Sequence, residues 1–393
     1  MPADSHDIAR DAFMLHGRFA TCGYDWWWHS FTAHHAQTGE PRAFFIEFFG
    51  VNPALGGAMP VFGQLPENLK DGVHPSYVMV KCGCWGEDAR QLHRFFGWDE
   101  VTVDTGVPFR VLAGDCGVSE DVAFGRVRVT PDEVASHPEW MSDAGEMLFD
   151  LRISKRIAFN VGLGASEPLR RAEAFEMFWH AEGIACDYEG SVWLDGEEYL
   201  VRPEDCFGYA DKNWGGDFTS PWVWLSSCNI RRAGTSELLR NSAFEIGGGR
   251  PKIGPVALDR KLLGCLNLEG RVYDFNFSKP WTGSRTRFRC HETDTHVVWH
   301  VEQETFEAEL VTDIICPKAE MLLVRYEAPD GARRHTRLWN GGTGEGVLHL
   351  YERRGGRREL LETLVVKNVG CEYGEYDATE PYTLPDEGAE AAP

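Results

Sequence analysis

No run of about 18 apolar residues occurs anywhere in the 393-residue chain, so the sequence offers no helix that would span a membrane. The N-terminus opens with acids in Met1-Pro2-Ala3-Asp4-Ser5-His6-Asp7 and has no basic patch or apolar stretch after it. No signal peptide is expected, and the expected location is the cytoplasm. Basic residues are scarce beside acidic ones, 39 against 61, and the net charge of -22 argues against sequence-independent attraction to nucleic acid. The 11 cysteines are odd in number and scattered at positions such as Cys22, Cys116, Cys186 and Cys371, a pattern that builds no disulfide framework and fits a reducing compartment.

Signatures of metal, phosphate and hydrolase chemistry are also missing. Cys82-Gly83-Cys84 puts two thiols on one strand face, but no second Cys or His pair stands near it at ligand spacing, so two buried small residues are expected there. His34-His35 and the His296/His300 pair likewise belong to no complete ligand set. Gly162-Leu163-Gly164 and Gly342-Thr343-Gly344-Glu345-Gly346 lack the Lys-Ser/Thr that completes a phosphate loop and read as turns; no Gly-x-Ser-x-Gly elbow exists. No repeat of 20 to 50 residues supports a solenoid or propeller.

Aromatic residues are plentiful: they make up 12% of the chain, with 14 Trp, more wide apolar surface than an ordinary core needs. Short β segments dominate, among them Phe44 to Val51, Tyr77 to Cys84, Phe124 to Val129, Met147 to Ile153, Ser191 to Leu194, Glu197 to Val201, Trp222 to Ser226 and Val297 to Val301. Leu194-Asp195-Gly196-Glu197 and Leu268-Glu269-Gly270-Arg271 read as hairpin turns. Val347 to Glu352 and Glu359 to Val366 flank a third turn with an arginine-rich tip. That tip is either an ordinary solvated turn or a transient contact for anionic lipid head groups. Helices are expected only over Glu87 to Phe96 and Pro168 to Met177. The length calls for two domains. A composition change near Asn160 to Gly164 divides residues 1–160 from 161–376, and the acidic, Pro-bearing residues 377–393 read as a disordered tail. The expected fold class is all-β, two barrel or sandwich halves with few short helices.

One stretch concentrates chemistry. Asp211-Lys212-Asn213-Trp214-Gly215-Gly216-Asp217-Phe218, then Pro221-Trp222-Val223-Trp224 and Cys228-Asn229, crowds carboxylate, amine, amide and indole into under twenty residues. Indole faces can wall an apolar pocket and stabilise a passing positive charge, while the polar groups can orient or protonate a ligand.

With Trp179-His180, Gly190 to Glu197, Ile246-Gly247-Gly248-Gly249 and Tyr273-Asp274-Phe275, this stretch resembles the tocopherol cyclase family, in which an acid precedes Lys-Asn-Trp-Gly-Gly and a Trp-x-Trp strand follows. Trp26-Trp27-Trp28-His29-Ser30-Phe31, Ala43 to Phe49, Asn340-Gly341-Gly342 and Gly370 to Tyr376 are similar in character to the two ends of such proteins. The resemblance implies two lipocalin-like (calycin-type) halves around an apolar cavity. It also implies a cofactor-independent, metal-free reaction: an acid protonates the double bond of a prenylated quinol or related isoprenoid, and the phenol oxygen captures the cation. A related hydratase, or a non-catalytic carrier of a lipid or isoprenoid, is the alternative.

That chemistry requires a carboxyl kept protonated by burial among apolar rings. Asp211 ranks first, as the acid or as a partner of a neighbouring base; Asp25, before three tryptophans, and Glu47, inside an aromatic strand, are the other candidates. Glu47 is functional if it faces inward with Phe45 and Phe49, and an ordinary surface acid if outward. Trp27, Trp28, Trp179, Trp214, Trp222 and Trp224 are the candidate cation-stabilising rings, Trp222 and Trp224 sharing a strand face and Trp27 and Trp28 opposing each other. The polar members of the same blocks, His180, Lys212, Asn213 and Asn229, complete the expected substrate lining.

Overall fold

Strand-forming residues alternating across two faces assemble into two large antiparallel sheets, and the face each strand turns toward the other sheet decides which side chains meet. The computed structural model describes residues 8–161, 166–219, 221–250, 252–253, 256–257, 261–332, 337–354 and 357–375. The expected acidic tail and the Gly162-Leu163-Gly164 turn lie outside the described residues. Among the described residues helices are few and short, and no helix is long and apolar enough to cross a membrane.

The first sheet has 12 strands. Its order runs Arg90–Phe96, Tyr77–Cys84, Pro41–Val51, Tyr24–His35, Glu197–Val201, Met177–Leu194, Gly145–Phe159, Val122–Val129 and on to the short strands ending at Val101–Asp104. Gly208–Gly215 pairs with both Tyr24–His35 and Met177–Leu194. The second sheet has 11 strands, with Trp222–Ser227 between Ala243–Gly249 and Arg357–Glu375, and with Arg337–Arg354 next in order. Each sheet curls into a barrel-like half, so the all-β expectation is met.

Several expectations differ from the structure. Gly342 to Gly346, read as a turn, lies inside the strand Arg337–Arg354, where the pairing with Arg357–Glu375 shifts register around Gly344. Arg90–Phe96 is a strand and not a helix, because seven residues in register with Tyr77–Cys84 satisfy their backbone groups across the sheet and bury Leu92 and His93 on opposite faces. Only Glu167–Arg171 of the second predicted helix is helical, and the chain is extended again from Met177. The division near residue 160 also shifts. Hydrogen bonding passes from one sheet to the other between Gly215 and Trp222, so the Asp211 to Gly215 block closes the first sheet and does not belong to the second.

The hairpin turns form where the sequence places them. Asp195 and Gly196, with φ of 50° and 90°, and Glu269 and Gly270, with φ of 48° and 88°, take the left-handed conformations that suit two-residue connections. Glycines have a second use where the sheets face each other. A Cβ on Gly342 would lie 2.2 Å from the Trp85 ring, and one on Gly247 would lie 3.0 Å from the Trp179 ring, so indoles of the first half are seated on bare backbone of the second. Trp85 is fully buried and its ring nitrogen bonds Asn340, which leaves it little room to retreat. We therefore expect Gly342→Ala to destabilise the protein by about 1 to 3 kcal/mol through overpacking, measured by urea unfolding. A neutral result would show that the seat is loose.

Candidate active site

Strand parity sorts the candidate residues into two groups. On Gly208–Gly215, residues 209, 211 and 213 face the second sheet, whereas 212 and 214 face into the first half. In register with them, Trp28 pairs with Asp211 and with Glu47, and Trp27 pairs with Lys212. The junction between the sheets thus gathers Trp28, Glu47, Trp179, Asp211 and Asn213 from the first half with Trp222 and Trp224 from the second. Phe45 and Phe49 share the face of Glu47, and all three are fully buried.

Asp211 is buried and its Oδ2 accepts two hydrogen bonds, from the Trp179 indole at 2.7 Å and from the Tyr209 hydroxyl at 3.0 Å. Its Oδ1 has no hydrogen-bond partner among the described residues. The neighbouring Lys212 points the other way, so the two adjacent residues do not pair. Burial raises the Asp211 carboxyl to about 8, against the donors Trp179 and Tyr209 and with help from the acids Glu372 and Glu182. With both donors on Oδ2, the proton resides on Oδ1, free to be given away.

Three further buried carboxyls stand at the junction. Glu47 Oε2 accepts from the Tyr326 hydroxyl at 2.8 Å and lies 3.3 Å from the Lys81 ammonium, itself 3.1 Å from the same hydroxyl. Lys81 stands over the rings of Trp28, Phe45 and Tyr326 at 5.5, 5.4 and 5.1 Å. Burial pushes the Glu47 carboxyl up and the Lys81 ammonium down, while their mutual attraction opposes both. Glu372 is held on both oxygens, by Trp222 and by Asn340, each at 2.6 Å, and Asn340 in turn receives the Trp85 indole at 2.9 Å. Glu245 receives the Trp224 indole at 2.9 Å. Burial is the main cause raising the carboxyls of Glu372 and Glu245. Four buried acids thus share one ammonium among the described residues of the junction. That ammonium touches Glu47, so Asp211, Glu245 and Glu372 have no cation in contact among the described residues, and burial favours their neutral forms.

The indoles form two edge-on pairs at the junction. Trp28 stacks on Phe45 at 5.4 Å between ring centres and meets Trp224 edge-on at 6.5 Å, and Trp179 meets Trp222 edge-on at 6.5 Å. Asn213 is fully buried beside Trp26 and Trp179, and neither atom of its amide has a partner among the described residues, nor has the ring nitrogen of Trp28. Unpaired buried polar groups of this kind cost stability unless a bound molecule, water or ion satisfies them. A cleft of about 310 Å³ opens at one side of the junction, where Arg42, Trp85 and Tyr199 of the first half face Thr343 and Asn368 of the second. At another side Phe62, Met79 and His93 approach Tyr326 and Glu327.

The remaining candidates lie elsewhere. Asp25 bonds Lys212 in a fully buried pair inside the first half, where the Lys212 ammonium also sits 3.7 Å over the Trp27 ring. Trp27 donates to the Asp11 carbonyl, and Trp214 stacks on Phe178. His180 lies beside a third cluster, 3.3 Å from Asp11, in which the Lys155 ammonium is ringed by Glu182 at 2.6 Å, Glu120 at 2.7 Å and Asp11 at 3.3 Å. The position a metal ion would take among these three carboxylates is filled by that ammonium. Burial, with Arg10 and Lys155 nearby, keeps His180 neutral by lowering its pKa well below the ordinary value. Asn229 bonds Asn368, which lines the 310 Å³ cleft and does not reach the tryptophan pairs. Asp25, Trp27, His180, Lys212 and Trp214 are thus separated from Asp211 because neighbours on a strand point to opposite faces, and Asn229 because it lies on a different strand, Asn229–Arg232 of the second sheet. Cys82 and Cys84 are both buried free thiols.

Sequence reading passed over Tyr209, Glu245, Glu372, Lys81 and Tyr326. The available signal was the one that drew attention to Glu47, a charge inside an apolar strand, as in Ala243-Phe244-Glu245-Ile246 and Val78-Met79-Val80-Lys81-Cys82.

No protein-family model matches the chain. It is 32% identical over 163 residues to the chloroplastic tocopherol cyclase of Zea mays, a match covering 38% of this chain and 31% of that protein, so it spans about a third of the relative's length. Among solved structures, a Nitrosomonas europaea protein described as AttH superposes with a TM-score of 0.43 at 12% identity, over 90% of this chain and 93% of that one. Kievitone hydratase of Nectria haematococca superposes with a TM-score of 0.42 at 11% identity, over 89% and 88%.

Proposed function

We propose that the chain is a cofactor-independent acid catalyst that protonates the double bond of a prenylated quinol or related isoprenoid at the junction of its two halves. The observation that carries this reading is Asp211: a buried carboxyl with two donors on one oxygen, neither a cation nor a partner for its second oxygen among the described residues, and indoles beside it. The partial likeness to a plant tocopherol cyclase supports the reaction class.

Protonation by Asp211 Oδ1 leaves a tertiary carbocation on the substrate. Trp28, Trp179 and Trp224 offer it ring faces, each contributing about 1 to 2 kcal/mol when desolvated, and exclude water. The Lys81 ammonium repels a cation, so the charge develops on the Asp211 side of Trp28 and away from Tyr326. Capture by the substrate's own phenol oxygen closes a ring; capture by water would give hydration instead. Asn213, with its amide unpaired, is suited to hold the substrate's hydroxyl-bearing head.

The acid works only while protonated. With its pKa near 8, turnover is level below that value and falls about tenfold per pH unit above it. The check is a pH profile of ring closure on a prenylated hydroquinone. An activity that rises through pH 8 would assign the group the opposite role, that of a base.

A further inference from the structure

Glu245 has the geometry of a second acid in the same cycle. It lies on Ala243–Gly249, fully buried, paired with Ser226 on one side and Cys265 on the other. The Tyr209 hydroxyl is 3.0 Å from Asp211 Oδ2 and 3.3 Å from Glu245 Oε1, and the Trp224 indole reaches Glu245 Oε1 at 2.9 Å and the Tyr209 oxygen at 3.1 Å. A phenol has one proton to donate, so Tyr209 satisfies one carboxyl at a time and can pass a proton between them. Among the described residues the titratable groups facing Glu245 are neutral or acidic: Asp211 and Tyr209 from Gly208–Gly215, and Cys265 from Lys261–Leu268, with Glu372 across the junction beyond Asp211.

We propose that Glu245 is the proton-returning partner of Asp211, restoring the spent acid through the Tyr209 hydroxyl. The inference rests on Asp211 being the acid. The cycle balances without any oxidant or reductant. Asp211 loses its Oδ1 proton as the new C–H bond forms on the alkene. Tyr209 gives its proton to Asp211 while Glu245 gives its own to Tyr209. The substrate oxygen then forms the C–O bond and releases its proton to Glu245. The substrate has gained a C–H bond and lost an O–H, and Asp211, Tyr209 and Glu245 each carry as many protons as before; the returned protons sit on Asp211 Oδ2 and Glu245 Oε2, and a half-turn of each carboxyl resets the starting state. Glu245 Oε2, without a partner among the described residues, is the oxygen available to receive that last proton.

The test is an infrared titration of protonated carboxyl bands in the wild type, Glu245→Gln, Tyr209→Phe and Asp211→Asn, each shown to be folded by near-ultraviolet circular dichroism. It is run beside steady-state turnover of a prenylated hydroquinone. Among the protonated carboxyl bands at neutral pH, the relay predicts that one is lost in Asp211→Asn and a different one in Glu245→Gln. It also predicts that the Asp211 midpoint moves by about one pH unit when Tyr209 or Glu245 is replaced. Turnover in Glu245→Gln and Tyr209→Phe should fall tenfold or more through kcat, with KM little changed and the alkaline limb displaced. An Asp211 band that titrates identically in all three remaining proteins overturns the relay, even if turnover still requires Asp211. Coupled bands with turnover indifferent to Asp211 would overturn the acid assignment, and with it the relay's part in catalysis.

Discussion

Asp211→Asn is expected to lower ring closure of a prenylated quinol by a factor of about 10² to 10⁴ while leaving a protein that folds at least as well as the wild type. The amide keeps the size of the side chain and still accepts from Trp179 and Tyr209, but it has no acidic proton for the alkene. Its effect on stability has a definite sign. The folded-state pKa is near 8 and that of an unfolded Asp is about 3.9, so between those values the folded protein holds a proton that the unfolded chain has released. The stabilisation from this group is complete below about pH 4 and is lost progressively as pH rises to about 8, by several kcal/mol in all. The amide never ionises, so urea unfolding should find Asp211→Asn more stable than the wild type at pH 8 and above, with a flatter pH dependence. A variant that lost both activity and stability would make Asp211 a structural anchor.

The second large effect is expected inside the first half. The Lys155 ammonium, 4% exposed, touches Glu182, Glu120 and Asp11, and although burial works against its charge the three carboxylates outweigh that cost and raise its pKa. Lys155→Met leaves three buried or half-buried acids without their cation. Removing one partner of a buried ion pair typically costs 3 to 5 kcal/mol, and about that loss is expected in urea unfolding at pH 7. Glu182 is already raised to about 7 and burial also raises Asp11, so both take up protons readily as pH falls. The difference between variant and wild type should therefore shrink toward pH 5. A loss under about 1 kcal/mol would show that the cluster is wetter than its burial implies.

Local alternation in the sequence carried the strands well. Tyr77–Cys84 and Glu197–Val201 coincide with the segments read from β-branched and aromatic residues, and the two tight turns sit where Asp-Gly and Glu-Gly place them. Arg90–Phe96 misled because Ala89, Leu92, Phe95 and Phe96 also fit a helical spacing, and pairing to a neighbouring strand decided the outcome. The division of the chain was misplaced for a related reason: the partner of Tyr24–His35 lies almost two hundred residues away at Gly208–Gly215, a pairing that local composition does not encode.

The candidate site was legible in residue type but not in face. Parity alone separates Trp27 from Trp28 and Asp211 from Lys212, yet which face meets the second half depends on the docking of the two sheets. That is why Asp25, with Lys212 and Trp27, falls on the far side from Asp211. Glu245 escaped as a lone acid in its strand and Glu372 as one of several acids in a long one, and only the fold brings them toward Tyr209 and Trp222.

The most direct measurement of the central claim is incubation of the wild type and Asp211→Asn with a prenylated hydroquinone in deuterated water, followed by mass and NMR analysis of the product. Acid catalysis at Asp211 predicts one deuterium at the protonated alkene carbon of a cyclised product from the wild type and a loss of that product with the variant. A probe bound tightly but recovered unchanged from both proteins, or a cyclised product free of carbon-bound deuterium, would contradict it.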